Sequence, residues 1–378
     1  MTGPVTRFLA RERAVLEAYL PGLDAALAAH PLAELERPGG PAIAAFRAAG
    51  GPALVVPTAH KGLGASAADV IRVQRAIASR SPSLAVATTM HQFSVASLVE
   101  ADSVTEGLEW MLLEAVATQG LLMASGFSEG RSGQSVLRPA IVATTVDGGD
   151  VVLEGSKKPC SLSASMDLLT ASVMIPDEQG TPRLAVVIVP KESPGLSVRP
   201  FWGSPVLAGA ENDEVLLAGV RVPAGLVART ESTPEGGLDV LQTAGFIWFE
   251  LLMGASYLGV ASALAERMLA ARRGSAEDRA RVLVDLEAAA AVLDSASDAR
   301  PDQEGLGRAL VARFAVQEAV DRVVPRCVEA LGGMAFLGSG DISYLASAAA
   351  ALKFHPPSRL GAAEPLVTYF EGGPLLVG

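Results

Sequence analysis

The chain has few of the residues that build disulfides or metal sites. Its 378 residues include two cysteines, Cys160 and Cys327, and four histidines. Two isolated cysteines argue against a disulfide framework and against a zinc site with clustered thiolate ligands. We therefore predict that each cysteine is a small apolar core residue and that the protein holds no metal.

Positive charge is also scarce. The chain has only five lysines and a formal net charge of -11 at pH 7. A protein that binds nucleic acid needs a basic surface to neutralise the phosphates, so this composition argues against nucleic acid as a partner. We interpret the acidic excess as a contribution to solubility.

No export signal is visible near the amino terminus, because Arg7, Arg11 and Glu12 interrupt any apolar run there. The expected location is the cytoplasm. One later stretch, 240–265, contains a single charged residue, Glu250. It is apolar enough to cross a bilayer, but its glycines, its serines and its internal glutamate favour a buried bundle helix. No membrane insertion is predicted.

Apolar residues recur at spacings of three and four on both sides of a central block. The helices predicted from this spacing are 7–28, 65–80, 94–99, 105–118, 238–271, 276–299 and 304–331. Half of all residues are apolar and the mean hydropathy is +0.35, so these helices can bury a large core.

The central block, 121–230, has the pattern of β structure. Its predicted strands are rich in β-branched residues and adjoin turn residues; they are 141–145, 151–153, 168–175, 184–190 and 214–222. Asp147-Gly148-Gly149 marks a tight hairpin turn, because glycine tolerates the positive φ that such a turn requires. The chain is thus predicted to have an α+β fold: an N-terminal helical domain (1–120), a middle antiparallel β domain (121–230) and a C-terminal helical bundle (231–378).

Five short motifs occur in the same order as in a known family. They are Lys61-Gly-Leu-Gly64, Ser128-Glu129, Leu153-Glu-Gly-Ser-Lys157, Val220-Arg-Val-Pro223 and Ala330-Leu-Gly-Gly333. Together, in register over the whole chain, they resemble the acyl-CoA dehydrogenase family. This resemblance implies an acyl-CoA dehydrogenase-like fold with a C-terminal four-helix bundle, and it implies FAD as the cofactor.

The resemblance also implies an activity, the α,β-dehydrogenation of an acyl thioester carried by coenzyme A or by an acyl carrier protein. A glutamate would remove the α proton while a hydride passes to flavin N5. The electron acceptor would be an electron-transfer flavoprotein or O₂, and the chain would form a homodimer or homotetramer through its bundle. The richness in alanine and arginine is similar to that of relatives in secondary metabolism.

Flavin contacts follow from the same resemblance. The residues it assigns to the cofactor are Phe127, Ser128, Pro159, Ser161, Gly332 and Gly333. Ser128 would bond the pyrimidine side of the ring and Ser161 would approach N5, because reduced flavin carries a hydrogen at N5 and charge near N1. Side chains alternate across a strand, so Cys160 should point into the β core. The alternative for each serine is a bond to solvent or backbone.

Three departures from the family concern the cofactor. Pro159 stands where the family has tryptophan, and no Arg-x-x-Phe-Gly motif is found near 272–275. The family's Arg-Asp-x-Arg is replaced by 346–351, Ala-Ser-Ala-Ala-Ala-Ala. FAD stays the expected cofactor, but its diphosphate would need contacts other than these.

The family's usual catalytic carboxylate is missing, because its place falls on 354–357, Phe-His-Pro-Pro. Two other carboxylates are candidates for the base. Glu250 has only apolar neighbours, so desolvation should raise its pKa toward that of a general base, unless it pairs with a distant arginine. Glu371 lies in a similar local motif, Tyr-Phe-Glu-Gly, but too late in the chain. If neither serves, His355 is the fallback base.

His91, Ser135 and Phe249 are the residues expected to contact substrate, with a buried core role as the alternative for His91. The leading interpretation is an FAD-dependent acyl thioester dehydrogenase. A flavin-dependent monooxygenase of the same fold stays open as the alternative, because it needs no carboxylate base. A non-catalytic partner subunit with the same fold is the third interpretation.

Overall fold

The computed structural model describes residues 7–104, 109–130, 139–177, 179–230 and 237–377. The N-terminal part is helical, with α1 (Ala10–Tyr19), α2 (Leu23–Ala28), α3 (Leu32–Leu35), α4 (Pro41–Ala48), α5 (Ala67–Arg80), α6 (Pro82–Val104) and α7 (Glu109–Gln119). The first helix predicted from the sequence, 7–28, is broken into α1 and α2. Pro21 and Gly22 cause the break, since Gly22 has a φ of 81°.

The helix α6 is much longer than its predicted segment, 94–99. It begins at Pro82, where the missing N–H of proline costs nothing because the first-turn donors of a helix are unbonded in any case. The Ser81-Pro82-Ser83 break was predicted, but its consequence was not. The chain leaves one helix and immediately starts another, and α6 continues to Val104.

The middle part contains two four-stranded sheets. Their strands are β1 (Met123–Gly126), β2 (Thr144–Thr145), β3 (Val151–Cys160), β4 (Leu168–Pro176), β5 (Pro182–Pro190), β6 (Leu196–Arg199), β7 (Asp213–Val222) and β8 (Val227–Arg229). The orders are β1-β4-β5-β8 and β2-β3-β7-β6. Both predicted hairpins are present, but the sheets are not purely antiparallel, because β1 pairs with β4 in parallel.

The C-terminal part is a bundle. Its helices are α8 (Val240–Ala270), α9 (Ala276–Ala296), α10 (Gln303–Leu331), α11 (Gly333–Gly338), α12 (Gly340–Ala350) and α13 (Arg359–Phe370). Gly332 ends α10 with a φ of 87°, at the stop that the sequence indicates. The central helix is α8, which packs against α5, α6, α9, α10 and α12.

The helix α8 is long enough and apolar enough to span a membrane, but 89% of its most apolar 18-residue stretch is buried inside the protein. The core explains this burial: one hydrophobic cluster runs continuously through the N-terminal helices, the sheets and the bundle. The predicted order of helices, sheet and bundle is confirmed, and α8 is the element that joins the first part to the last.

Candidate active site

A cavity of about 400 Å³ lies where the three parts of the chain meet. Its walls come from α6, the sheet β1-β4-β5-β8, the end of β3, the first turns of α8 and the segment 351–356. A volume of this size is within the range of about 300–1,000 Å³ that is usual for small-molecule sites. The cavity is therefore the candidate active site.

The periods of helix and strand explain which side chains line the cavity. On α6 the lining residues recur every three or four positions: Val86, Met90, Phe93, Ser97 and Ala101. On β5 they alternate: Leu184, Val186 and Ile188. Each element thus presents one face to the cavity and packs its other face into the protein.

The cavity wall carries no formal charge in the part of the chain that the structure describes. Its polar groups are hydroxyls, amides, an indole and an imidazole; they belong to Ser94, Ser97, Ser125, Ser128, Ser161, Thr170, Ser172, Thr230, Asn212, Gln242, Trp202 and His355. An uncharged wall of this kind favours an uncharged group beside it, such as a ring or an alkyl chain, since a charged group loses its hydration on entry and gains no counter-ion.

Four of the residues expected to contact flavin lie together on this wall: Phe127, Ser128, Pro159 and Ser161. Cys160, between the last two, is fully buried and is absent from the wall, as the strand alternation predicts. Ser161 Oγ donates to Asn212 Oδ1 at 2.7 Å. Because its single proton is committed to Asn212, Ser161 offers the cavity only lone pairs, which suit a donor such as the N–H at N5 of reduced flavin.

The hydroxyl of Ser125 makes the wall fit a ring with a polar edge. Ser125 is 7% exposed, lines the cavity and has no hydrogen-bond partner among the described residues. This hydroxyl can both donate and accept a hydrogen bond with a bound ligand. The pyrimidine edge of a flavin alternates donors and acceptors, and the neighbouring aromatic side chains suit its flat faces. The residues present therefore fit a flavin.

Aromatic rings form one continuous side of the cavity. Phe93 lies between Phe127 and Phe249, with ring centroids 5.8 Å and 5.6 Å away, and Phe249 in turn lies 6.3 Å from the ring of His355. Phe249, expected from the sequence to contact substrate, is part of the cavity wall. The arrangement gives the cavity an apolar region next to a single imidazole.

His355 is held by Tyr257, whose hydroxyl oxygen lies 2.7 Å from His355 Nε2. Burial, together with the smaller effect of the nearby Arg313 charge, lowers the pKa of His355 to about 3, so the imidazole is neutral at pH 7. Burial also holds the pKa of Tyr257 well above its ordinary value. The un-ionised tyrosine therefore donates to Nε2, and we assign the imidazole proton to Nδ1.

Glu250, the leading candidate for the base, is fully buried and pairs with Arg313 at 2.7 Å. Burial raises the pKa of Glu250 to about 7, although the Arg313 charge opposes this shift. The desolvation predicted from the sequence is present, but so is the distant arginine that was its alternative. Glu250 does not line the cavity, whereas its neighbour Phe249 does. The carboxylate is thus placed to hold Arg313 and not to meet a ligand.

His91 is a core histidine and not a cavity residue. Its Nδ1 accepts from Met123 N at 3.0 Å, and its Nε2 lies 3.0 Å from Pro52 O, to which it donates. Both ring nitrogens are used within the fold, so the ring connects α6 to β1 and to the 51–53 turn. The expected substrate contact is replaced by this structural role.

The buried imidazole of His91 should make stability depend on pH. Burial lowers its pKa from 6.5 to about 4, so the native state resists a proton that the unfolded chain accepts below pH 6.5. The contribution of His91 to the free energy of unfolding is fully present above pH 6.5 and is lost as the pH falls toward 4. The total loss is about 3 kcal/mol. The free energy of unfolding, measured with urea at pH 7.5 and pH 4.5, falls between these pH values. In His91→Gln this fall should be about 2–3 kcal/mol smaller than in wild type. An unchanged difference would contradict this role, and the exposed His30→Gln controls for the loss of one imidazole.

The other expected site residues lie elsewhere. Glu371 is exposed at the end of α13, away from the cavity wall. Gly332 and Gly333 form the junction between α10 and α11, and neither lines the cavity. Ser135 lies outside the described residues. Of the six residues expected to contact flavin, the four in the β domain thus line the cavity and the two glycines of the bundle do not.

Several wall residues were not expected from the sequence. All of them are polar; they are Ser125, Thr170, Ser172, Trp202 and Asn212. Strand alternation could have found Ser125, which lies two residues before Phe127 on the same run. Asn212 had no such signal, since it reaches Ser161 only through a loop that ends in an unusual left-handed turn at Glu211.

The chain is similar to one curated enzyme over almost its whole length. It is 48% identical to the isobutylamine N-hydroxylase of Streptomyces viridifaciens over 376 residues, which cover 98% of this chain and 99% of that protein. No family model matches the chain.

Solved structures with the same fold have low sequence identity. KijD3, in complex with FMN and dTDP-3-amino-2,3,6-trideoxy-4-keto-3-methyl-D-glucose, matches with a TM-score of 0.83 and 21% identity, covering 98% of this chain and 95% of that one. The nitrososynthase from Micromonospora carbonacea var. africana matches with a TM-score of 0.79 and 22% identity, covering 98% of both chains.

The near-full-length similarity to an N-hydroxylase corrects the leading interpretation of the sequence. The prediction that the protein dehydrogenates an acyl thioester was wrong. The predicted thioester substrate and electron-transfer flavoprotein are therefore not supported either. The monooxygenase alternative agrees with the findings, as does the absence of a free carboxylate on the described cavity wall. The chain belongs to the family of isobutylamine N-hydroxylase, flavin-dependent oxidoreductases with the acyl-CoA dehydrogenase fold.

Proposed function

We propose that this protein is a flavin-dependent monooxygenase that N-hydroxylates a small primary alkyl amine. The observation that carries the proposal is a cavity rich in aromatic side chains, with no charged side chain among the described residues, in a chain 48% identical to an enzyme named for the N-hydroxylation of isobutylamine. When bound and reduced, the flavin supplies two electrons, so that amine, O₂ and reduced flavin give hydroxylamine, water and oxidised flavin.

The flavin we propose is FMN and not FAD. The sequence lacks the Arg-x-x-Phe-Gly and Arg-Asp-x-Arg motifs that the resemblance associates with FAD, and KijD3 is described in complex with FMN. Ser125, Ser128 and Ser161 would hold the polar edge of the ring, and Phe127 and Pro159 would border its faces. The homodimer or homotetramer stays a prediction.

The uncharged wall determines which form of the amine binds. An ammonium group that enters the cavity loses its hydration and meets no carboxylate among the described residues, so its pKa falls and the free base is favoured. The free base is also the reactive form, because its lone pair must accept the oxygen atom. The alkyl group would contact Phe93 and Phe249, which lie side by side on the cavity wall.

His355 is the proposed contact for the reacting atoms. It is a cavity residue whose Nε2 is occupied by Tyr257, so Nδ1–H is the position from which it can donate to a bound group. Being neutral, it can sit beside an uncharged amine without repelling or protonating it. Its role is to orient the polar end of the substrate and to hold a proton at Nδ1.

Removing the Ser161 hydroxyl should weaken the flavin site. Ser161→Ala eliminates the acceptor proposed for N5–H and leaves Asn212 Oδ1 without its donor at 2.7 Å. One lost hydrogen bond is worth about 0.5–1.5 kcal/mol, so reduced FMN should bind up to about 10-fold more weakly. Ser161→Thr retains a hydroxyl and should bind nearly as wild type. Anaerobic titration monitored by absorbance measures both, and equal weakening in the two variants would contradict the assignment.

The proposed function is tested by supplying the purified protein with enzymatically reduced FMN, ¹⁸O₂ and a series of amines that includes isobutylamine. We expect a hydroxylamine that carries one ¹⁸O, detected by mass spectrometry, with FMN supporting more product than FAD. The rate should rise with pH as the free-base fraction grows. If no amine gains ¹⁸O while an acyl thioester bleaches oxidised flavin under anaerobic conditions, the proposal is wrong.

A further inference from the structure

The segment 351–357 forms one side of the cavity although its backbone is irregular. A short 3-10 helix, Ala351–Phe354, is followed by His355 and two prolines. The last carbonyls of such a helix have no partner within it, and prolines bring carbonyls without N–H groups in return. Leu352 and Pro357 are buried and His355 is half-buried, so some other part of the protein must supply donors to their carbonyls.

A single side chain supplies these donors. Arg313, on α10, is fully buried, and its Nη2 donates to Leu352 O at 3.3 Å and to His355 O at 2.6 Å. Its Nη1 donates to Pro356 O at 3.3 Å and to Pro357 O at 3.1 Å. The planar guanidinium thus binds four carbonyls of one segment, in the fork geometry that is specific to arginine.

The charge of Arg313 is balanced from a third element. Glu250, on α8, accepts from Nη1 at 2.7 Å, and both side chains are fully buried. The pair therefore fixes the segment to α8 and α10 at once. Tyr257, also on α8, holds the imidazole of His355 at Nε2, so His355 is anchored at its backbone and at its ring.

We infer that Arg313 is a positioning residue for the reaction, with Glu250 as its counter-ion: it acts on catalysis through His355. This inference rests on the proposed function. Arg313 holds the carbonyl of His355, and Tyr257 can reach Nε2 only while that backbone stays in place. Loss of the arginine fork should leave the fold and the flavin seat intact but let the imidazole turn away from the cavity.

Arg313→Lys is the informative substitution, because it keeps the positive charge for Glu250 but cannot bind four carbonyls at once. The measurement is the yield of hydroxylamine per O₂ consumed, in wild type, Arg313→Lys, His355→Ala and the double variant. We expect Arg313→Lys to lower this yield at least about 10-fold in the wild-type background and less than about twofold in the His355→Ala background. Equal losses in both backgrounds would mean that Arg313 is only structural, and the inference would be overturned.

Glu250→Gln provides a second series if Arg313→Lys does not fold. It keeps the shape and an acceptor oxygen but removes the counter-ion, so its effect on yield should be smaller and should likewise disappear in the His355→Ala background. A loss of the same size with and without His355 would overturn the inference.

A readout without flavin or turnover separates this inference from the proposed function. The chain has four histidines, so ¹⁵N-histidine spectra of the flavin-free protein can be assigned with His355→Ala. Wild type should show His355 protonated at Nδ1, and Arg313→Lys should shift it toward a mixture of tautomers while His91 stays unchanged. If wild type makes no hydroxylamine, the proposed function fails and these spectra alone decide the role of Arg313. Identical His355 signals in the two proteins would refute that role.

Discussion

Replacement of His355 by alanine is expected to lower hydroxylamine formation by about 10²- to 10³-fold, the loss that follows when one preorganised hydrogen-bond donor is removed from an active site. The reason is that His355 is the only imidazole on the described cavity wall and that its ring is fixed by Tyr257 at 2.7 Å. The flavin seat lies on the sheet side of the cavity, so binding of FMN should be retained. Reduced flavin should then still consume O₂ and release hydrogen peroxide.

Two variants test whether the loss belongs to the imidazole in this position. His30→Ala removes an exposed surface histidine, whose side chain is 41% accessible, and should leave the rate unchanged. Tyr257→Phe keeps His355 but removes the hydroxyl that holds its ring. It should lower the rate of hydroxylamine formation, but by less than His355→Ala does. Stopped-flow absorbance follows the oxidation of reduced FMN by O₂, and product analysis measures the formation of hydroxylamine. A His355→Ala protein that forms hydroxylamine at the wild-type rate would remove His355 from the reaction.

The position of Pro159 and Ser161 on the cavity wall could be predicted, because it depends on local sequence. The hairpins, the motif at 153–157 and strand alternation place Pro159 and Ser161 on one face and Cys160 on the other. None of these steps requires knowledge of residues far away in the chain. The parallel pairing of β1 with β4 was missed, because it joins segments separated by the whole first hairpin.

The bundle half of the candidate site could not be predicted, because it depends on contacts between residues that are far apart in the chain. Whether Glu250 is a base or half of an ion pair depends on Arg313, which is 63 residues away on another helix. Desolvation was inferred correctly from its apolar neighbours, but desolvation is common to a catalytic carboxylate and to a buried pair. The missing carboxylate at 354–357 was the better signal, since it kept open a reaction without such a base.

A second buried arginine should control the stability of the fold. Arg75, on α5, has a side chain that is 2% exposed, and it donates to Glu12 at 2.7 Å, to Glu287 at 2.7 Å and to Ser262 at 3.3 Å. It thereby joins α1, α5, α8 and α9. We expect Arg75→Met to lower the free energy of unfolding by about 3–5 kcal/mol, because Glu12 keeps a buried charge without its cation. Glu287 is 56% exposed and remains hydrated, so it adds little.

Urea denaturation of three further variants can locate the origin of that cost. Arg72→Met, one turn away on the same helix, loses pairs with Asp69 and Asp294 that are 28% and 31% exposed, so it should cost less than about 1 kcal/mol. Glu12→Leu alone leaves Arg75 with Glu287 as its one ionic partner among the described residues and should be destabilising. Combined with Arg75→Met, however, it removes both buried charges and should recover most of the stability, since apolar replacements of a buried pair are often neutral. A double variant less stable than Arg75→Met would show that the arginine stabilises the fold by packing and not by pairing with Glu12.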